Sequence, residues 1–181
     1  MTNDGAGTYF AGPGSNTGGA GESSTTGALW NFNTFIKVEG FNGATPKLTD
    51  YQFNLYYDFD PGLDTPFGSL GVVNLTQVVA LSPTPGATLA QESQNLLFGY
   101  LAVPIAGIVT PPAGSFDPNA LGEYNFGIQV SKGGWYLDGL AMDVQVVPEP
   151  ATAVLLGVGL MGLAAKRRKS QANLELRAKL A

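Results

Sequence analysis

Every second residue from Tyr51 to Phe59 is large and apolar: Tyr51, Phe53, Leu55, Tyr57 and Phe59. Gln52, Asn54, Tyr56 and Asp58 fill the positions between them. A period of two sends alternate side chains to opposite faces of an extended chain, so this stretch predicts a β-strand with one buried and one wetter face. The same period runs through Trp30, Phe32, Thr34, Ile36 and Val38, through Tyr124, Phe126, Ile128 and Val130, and through Leu140, Met142, Val144 and Val146. A further strand is expected at about Gly71 to Ala80. Leu89 to Val103 is ambiguous: Ala90 to Asn95 is compatible with one helical turn, and Leu96 to Val103 reads as a buried strand. Turn chemistry separates these segments at Gly40 to Pro46, where Asn42-Gly43 is a hairpin signal, and at Asp60 to Pro66, Leu81 to Ala87, Pro104 to Pro118 and Lys132-Gly133-Gly134.

About six or seven short strands and no amphipathic helix predict an all-β body, an antiparallel β-sandwich over residues 29–147. Residues 1–28 are rich in Gly, Ser, Thr and Asn, bury little, and read as a flexible leader with room for a short edge strand at Thr8 to Ala11. The segment Leu121 to Val146 resembles the final hairpin of bacterial immunoglobulin-like domains, which implies an immunoglobulin-like sandwich with Tyr124 at a tyrosine corner.

Beyond the last strand the chain changes character. Val147-Pro148-Glu149-Pro150 cannot continue a strand, because each proline fixes φ and withholds a backbone donor. The 15 residues Ala151 to Ala165 carry no charge and include Leu155, Gly157, Leu160 and two further glycines. As a helix they would measure roughly 22 Å against a hydrocarbon core of about 30 Å, a deficit that bilayer thinning and snorkelling cations can cover. Four consecutive cations follow, Lys166, Arg167, Arg168 and Lys169. An apolar run ending in such a cluster predicts a single C-terminal transmembrane helix with its basic end in the cytoplasm and the body outside. Ser170 to Ala181 would then be a cytoplasmic tail.

A Pro-Glu-Pro hinge, a short glycine-containing apolar run and a basic cluster, in that order, resemble the PEP-CTERM sorting signal over residues 147–169. The resemblance implies recognition of Pro148-Glu149-Pro150 by an exosortase, an integral-membrane enzyme resembling cysteine transpeptidases, which processes the protein. It also implies a Gram-negative host that makes exopolysaccharide, and a route through the inner membrane to the cell surface or the extracellular, biofilm-associated matrix. Such a chain needs export. Met1 to Phe10 shows neither a basic nor an apolar signal region, so a signal peptide is expected ahead of this Met1.

Charge is divided between the two parts. Residues 1–150 carry 13 acidic side chains against Lys37, Lys47 and Lys132, a net −10; residues 151–181 carry six basic side chains against Glu175, a net +5. An acidic body without arginine is a poor partner for nucleic acid, which is bound through Lys and Arg on phosphate. The sequence contains neither Cys nor His. Disulfide stapling, thiol chemistry, His-based general base catalysis and the usual zinc and copper sites are therefore excluded for these residues, and no cofactor is expected.

Two candidate sites remain in the body. Asp58, Asp60 and Asp64 stand at positions 1, 3 and 7 of a loop, a partial match to the oxygen-rich spacing of a Ca²⁺ site; solvated turn carboxylates are the plainer reading. Trp30, Tyr51, Tyr56, Tyr57 and Trp135 are aromatic faces on which a sugar of the exopolysaccharide class could stack, with core packing as the alternative. Tyr56 stands out because it interrupts the polar face of its strand. No pair of carboxylates has a spacing that selects it for glycosidic catalysis, and Ser131-Lys132 would point to opposite faces of a strand, so the expectation is a protein that is not an enzyme.

Overall fold

A computed structural model of the chain describes residues 2–16, 27–148 and 161. The chain divides into two units, Met1–Val147 and Pro148–Ala181. The first is mostly β-structure. Its central sheet contains β1 (Thr2–Asn3), β2 (Thr8–Ala11), β6 (Gln52–Tyr57), β7 (Gly71–Asn74), β9 (Val109–Thr110), β10 (Gly122–Lys132) and β11 (Trp135–Val146), in the order β1-β2-β11-β10-β6-β7-β9. Two small ribbons complete the β-structure: β3 (Ser15–Asn16) with β4 (Gly27–Ala28), and β5 (Phe32–Lys37) with β8 (Leu89–Gln94).

The period of two sets the inner face. Strand register brings Phe53 opposite Val130, Leu55 opposite Ile128, Tyr57 opposite Phe126, and Tyr124 opposite Val144. All but Ile128 and Val130 of these are buried, and those two pack against the core. The β5–β8 ribbon covers this face. Trp30 meets Phe116 and Phe126 edge-on at 5.8 and 6.2 Å, and Phe32 lies 4.6 Å from Phe126. Tyr124 is fully buried, and its hydroxyl donates to the Asp117 carbonyl at 3.3 Å, seven residues upstream. A backward bond of this kind is one that a tyrosine corner would make.

Several sequence expectations need correction. Gly71 to Ala80 is not one strand: β7 ends at Asn74, and α1 (Leu75–Leu81) follows. The Asn74 side chain accepts from the Gln77 amide at 3.1 Å and so caps the helix, while Leu75, Val78 and Val79 lie at helical spacing toward the core. Ala90 to Asn95 is not helical but the edge strand β8, paired with β5. Leu96 to Val103 is not a strand. Leu96 and Leu101 are buried as expected, but from a turn and a short 3-10 segment, Gly99–Ala102. Asn42 and Gly43 do form a turn at positive φ, yet β5 and β6, which flank it, pair with β8 and β10 and not with each other. The turn at Gly133-Gly134 does close a hairpin, between β10 and β11.

In the amino-terminal region, the described residues 2–16 carry short strands. The short strand expected at Thr8 to Ala11 is present as β2, and it runs parallel to β11, with Thr8 opposite Asp143 and Ala11 opposite Val146. The sheet is therefore mixed and not purely antiparallel. Segment 27–31 is held by Asn95, whose amide nitrogen donates to Ala28 O, Trp30 O and Asn31 Oδ1 and whose oxygen accepts from the Ala28 and Leu97 amides. Satisfying five groups with one buried side chain removes the cost of leaving those backbone groups bare.

Candidate functional site

The outer face of the central sheet carries a groove of about 500 Å³. Register explains its shape. Tyr56, Gly127 and Ala141 stand in one row across β6, β10 and β11; Asn54, Gln129 and Gly139 stand in the next; Asn125 and Asp143 face each other in the row beyond. Gly127, Gly139 and Ala141 leave the middle of this face nearly bare of side chain. Walls rise on both sides of that floor. On one side Tyr56 packs against Phe67 with ring centroids 4.6 Å apart. On the other, Tyr136 lies over Gly139, where a side-chain β-carbon would come within 3.1 Å of the Tyr136 hydroxyl.

The polar lining is partly pre-ordered. The Tyr56 hydroxyl donates to Gln129 Oε1 at 3.1 Å. Asn125 Nδ2 donates to Asp143 Oδ1 and to Glu123 Oε1, both at 3.0 Å, and its oxygen accepts from the Thr65 amide at 2.7 Å. Gln145 Nε2 donates to the other Glu123 oxygen at 2.6 Å. The hydrogen bond from the Asn125 side chain is the main reason that the Glu123 carboxyl lies below its ordinary value. Among the described residues no lysine or arginine lines the groove.

The aromatic residues expected to form one platform are not brought together. Trp30 and Tyr57 are core residues, and the Tyr57 hydroxyl donates to Leu101 O at 2.6 Å. Burial raises the Tyr57 hydroxyl well above its usual range, which suits a structural donor. Tyr51 sits under the Lys132 ammonium, 4.5 Å from the ring centroid. Trp135 is 79% exposed at the tip of the β10–β11 hairpin. Only Tyr56 lines the groove, with Phe67 and Tyr136 as its aromatic companions. Phe67 follows Pro66 in a loop with no period to flag it. Tyr136 is hidden by the register shift between Val130 and Ser131, which breaks the alternation counted back from Val146.

The three loop aspartates take three different roles. Asp58 is buried at the end of β6, with Oδ1 accepting from the Asn125 amide at 3.0 Å and Oδ2 without a hydrogen-bond partner. Burial pushes its carboxyl up to about 6, against the downward pull of the Asn125 backbone amide. Asp60 Oδ1 accepts from the Gly62 amide at 2.9 Å, a turn bond. Asp64 has positive φ, and its amide donates to Glu123 Oε1. Among the described residues no group of three His, Cys, Asp or Glu side chains gathers to hold a metal ion.

In the carboxy-terminal region, the Val147 amide donates to Ala11 O at 2.9 Å, and Pro148 is exposed. Glu149, Pro150, Ala151, Leu155, Gly157, Leu160, Ala165, Lys166, Arg167, Arg168 and Lys169 lie outside the described residues, and with them the expected transmembrane helix and basic stop. Among the described residues no helix is long and apolar enough to cross a membrane.

Residues 146–169 match the PEP-CTERM protein-sorting motif. No curated protein matches the chain. The chain thus carries the sorting signal that its hinge, apolar run and basic cluster resemble. The motif indicates a sorted, exported protein, implies processing by an exosortase-type enzyme, and implies delivery to the cell envelope or surface.

Proposed function

We propose that this chain is a non-enzymatic surface or matrix protein with a structural or adhesive role, built on an immunoglobulin-like sandwich and delivered by its C-terminal signal. The match at residues 146–169 carries the proposal. In this reading the run Ala151 to Ala165 spans the inner membrane once during transit, the cluster Lys166 to Lys169 stays on the cytoplasmic side, and the acidic body lies outside. The tyrosine-corner bond of Tyr124 and the ribbon packed over the inner face support the sandwich assignment. The end product is a component of the exopolysaccharide or biofilm matrix.

The test is loss of function in the native host. A strain lacking the chain should shed matrix or lose cell-to-cell adhesion, and amine-reactive labelling of intact wild-type cells should reach Lys37 and Lys47. An unlabelled body in intact cells would contradict the localisation; unchanged matrix cohesion would contradict the structural or adhesive role.

A second reading makes the body a carbohydrate-binding module on the same scaffold. The groove between Tyr56 and Tyr136 favours it, because it joins aromatic walls to a bare floor and a fixed set of polar groups.

A further inference from the structure

We infer that the outer-face groove binds a neutral glycan chain and discriminates against anionic ones; this rests on the carbohydrate-binding reading and names its ligand class. The first ground is shape. A pyranose ring is a flat body with apolar C–H faces and hydroxyls around its edge. The groove presents a matching surface: Gly127, Gly139 and Ala141 form a floor nearly free of side chain, flanked by the Tyr56–Phe67 pair and by Tyr136. Rings at the walls can cover the C–H faces while the hydroxyls reach the polar rows.

The second ground is the inventory of polar atoms that remain unused. Gln129 spends its oxygen on Tyr56, and its amide nitrogen makes no hydrogen bond within the described residues. The Tyr136 hydroxyl likewise has no partner there. Asp143 accepts from Asn125 through Oδ1, and the Asp64 carboxylate is exposed at the rim. The groove therefore offers one amide donor, one hydroxyl and carboxylate acceptors. That set suits hydroxyl groups, which donate and accept in turn.

The third ground is charge. Among the described residues, Asp64 and Asp143 are the charged side chains that line the groove, and no cation does. The first 150 residues hold only three lysines and no arginine against 13 acidic side chains. A uronate or sulfate brought here would meet like charge with no counterion to offset its desolvation. Neutral hexoses carry no such penalty.

The test is isothermal titration of the full-length chain with cellohexaose, mannohexaose and an alginate hexasaccharide, repeated for Tyr136→Ala and Gln129→Ala. Both substitutions fall on half-buried or exposed side chains outside the core, and wild-type-like unfolding curves would certify the variants. The expected result is binding of at least one neutral oligosaccharide, a loss of about tenfold in affinity for Tyr136→Ala, and no binding of alginate. Alginate binding in place of the neutral chains would overturn the charge inference and leave the carbohydrate reading standing. Neutral binding unchanged in both variants would remove the site from this groove. Binding of no oligosaccharide would overturn the inference and the carbohydrate reading together.

Discussion

Asp58 is 1% exposed, and one of its carboxylate oxygens has no partner. Its carboxyl moves from 3.8 to about 6 through burial, so the folded protein keeps a proton that the unfolded chain has released. Folding is then most favoured by this group below about pH 4; its support falls as pH rises from about 4 to 6 and levels off above that, a total loss of about 3 kcal/mol. Asp58→Asn keeps an acceptor for the Asn125 amide and removes the charge. Its stability relative to wild type should therefore grow by about 2–3 kcal/mol between pH 4 and pH 7, read by urea unfolding. Parallel stability profiles for the two proteins would contradict this assignment. Asn95 is the opposite case, a buried polar side chain with every group satisfied. Asn95→Ala strips hydrogen bonds from Ala28, Trp30 and Leu97 and should cost about 2–4 kcal/mol in the same assay.

At the scale of elements, the alternating segments were legible because one face of each is apolar. Trp30, Phe32, Phe53, Leu55, Tyr57, Phe59, Tyr124, Phe126, Val144 and Val146 are buried as expected, and Ile36, Val38, Tyr51, Ile128, Val130 and Met142 pack against that core. Leu140, expected on the same face, is instead 73% exposed near the β10–β11 hairpin end. Two elements were hidden for identifiable reasons. In β8, Ala90, Glu92 and Gln94 face β5 with mostly polar side chains, so the strand carries no apolar alternation; its evidence is backbone pairing with β5, which no composition reveals. Around α1, the β-branched Val72 and Val73 of β7 and Val78 and Val79 of the helix favour one continuous strand by propensity, while the cap at Asn74 and the spacing of Leu75, Val78 and Val79 favour a helix. Local capping and packing prevail. Asn74→Ala should accordingly destabilise the body by about 1 kcal/mol, visible as a lower urea midpoint with an unchanged slope. An unchanged midpoint would mean that the cap contributes nothing there. The groove was less legible than the core. Tyr56 was visible as an aromatic on a polar face, but its companions Phe67 and Tyr136 come from a loop and from beyond a register shift.

For the whole molecule, the sequence already separates an acidic, arginine-free body from a short basic end, and the matched motif lies across that boundary. The body explains stability without disulfides through one aromatic-rich core; the carboxy-terminal signal explains where the body goes. The direct measurement is intact mass and membrane fractionation of the native protein, compared with a variant in which Pro148, Glu149 and Pro150 are all replaced by alanine. Sorting through the motif predicts that the wild type loses roughly its last 30 residues, as expected for cleavage near Pro148-Glu149-Pro150. It also predicts that the wild type reaches the surface, while the variant stays full-length in the inner membrane. Wild type and variant both full-length and soluble would contradict it.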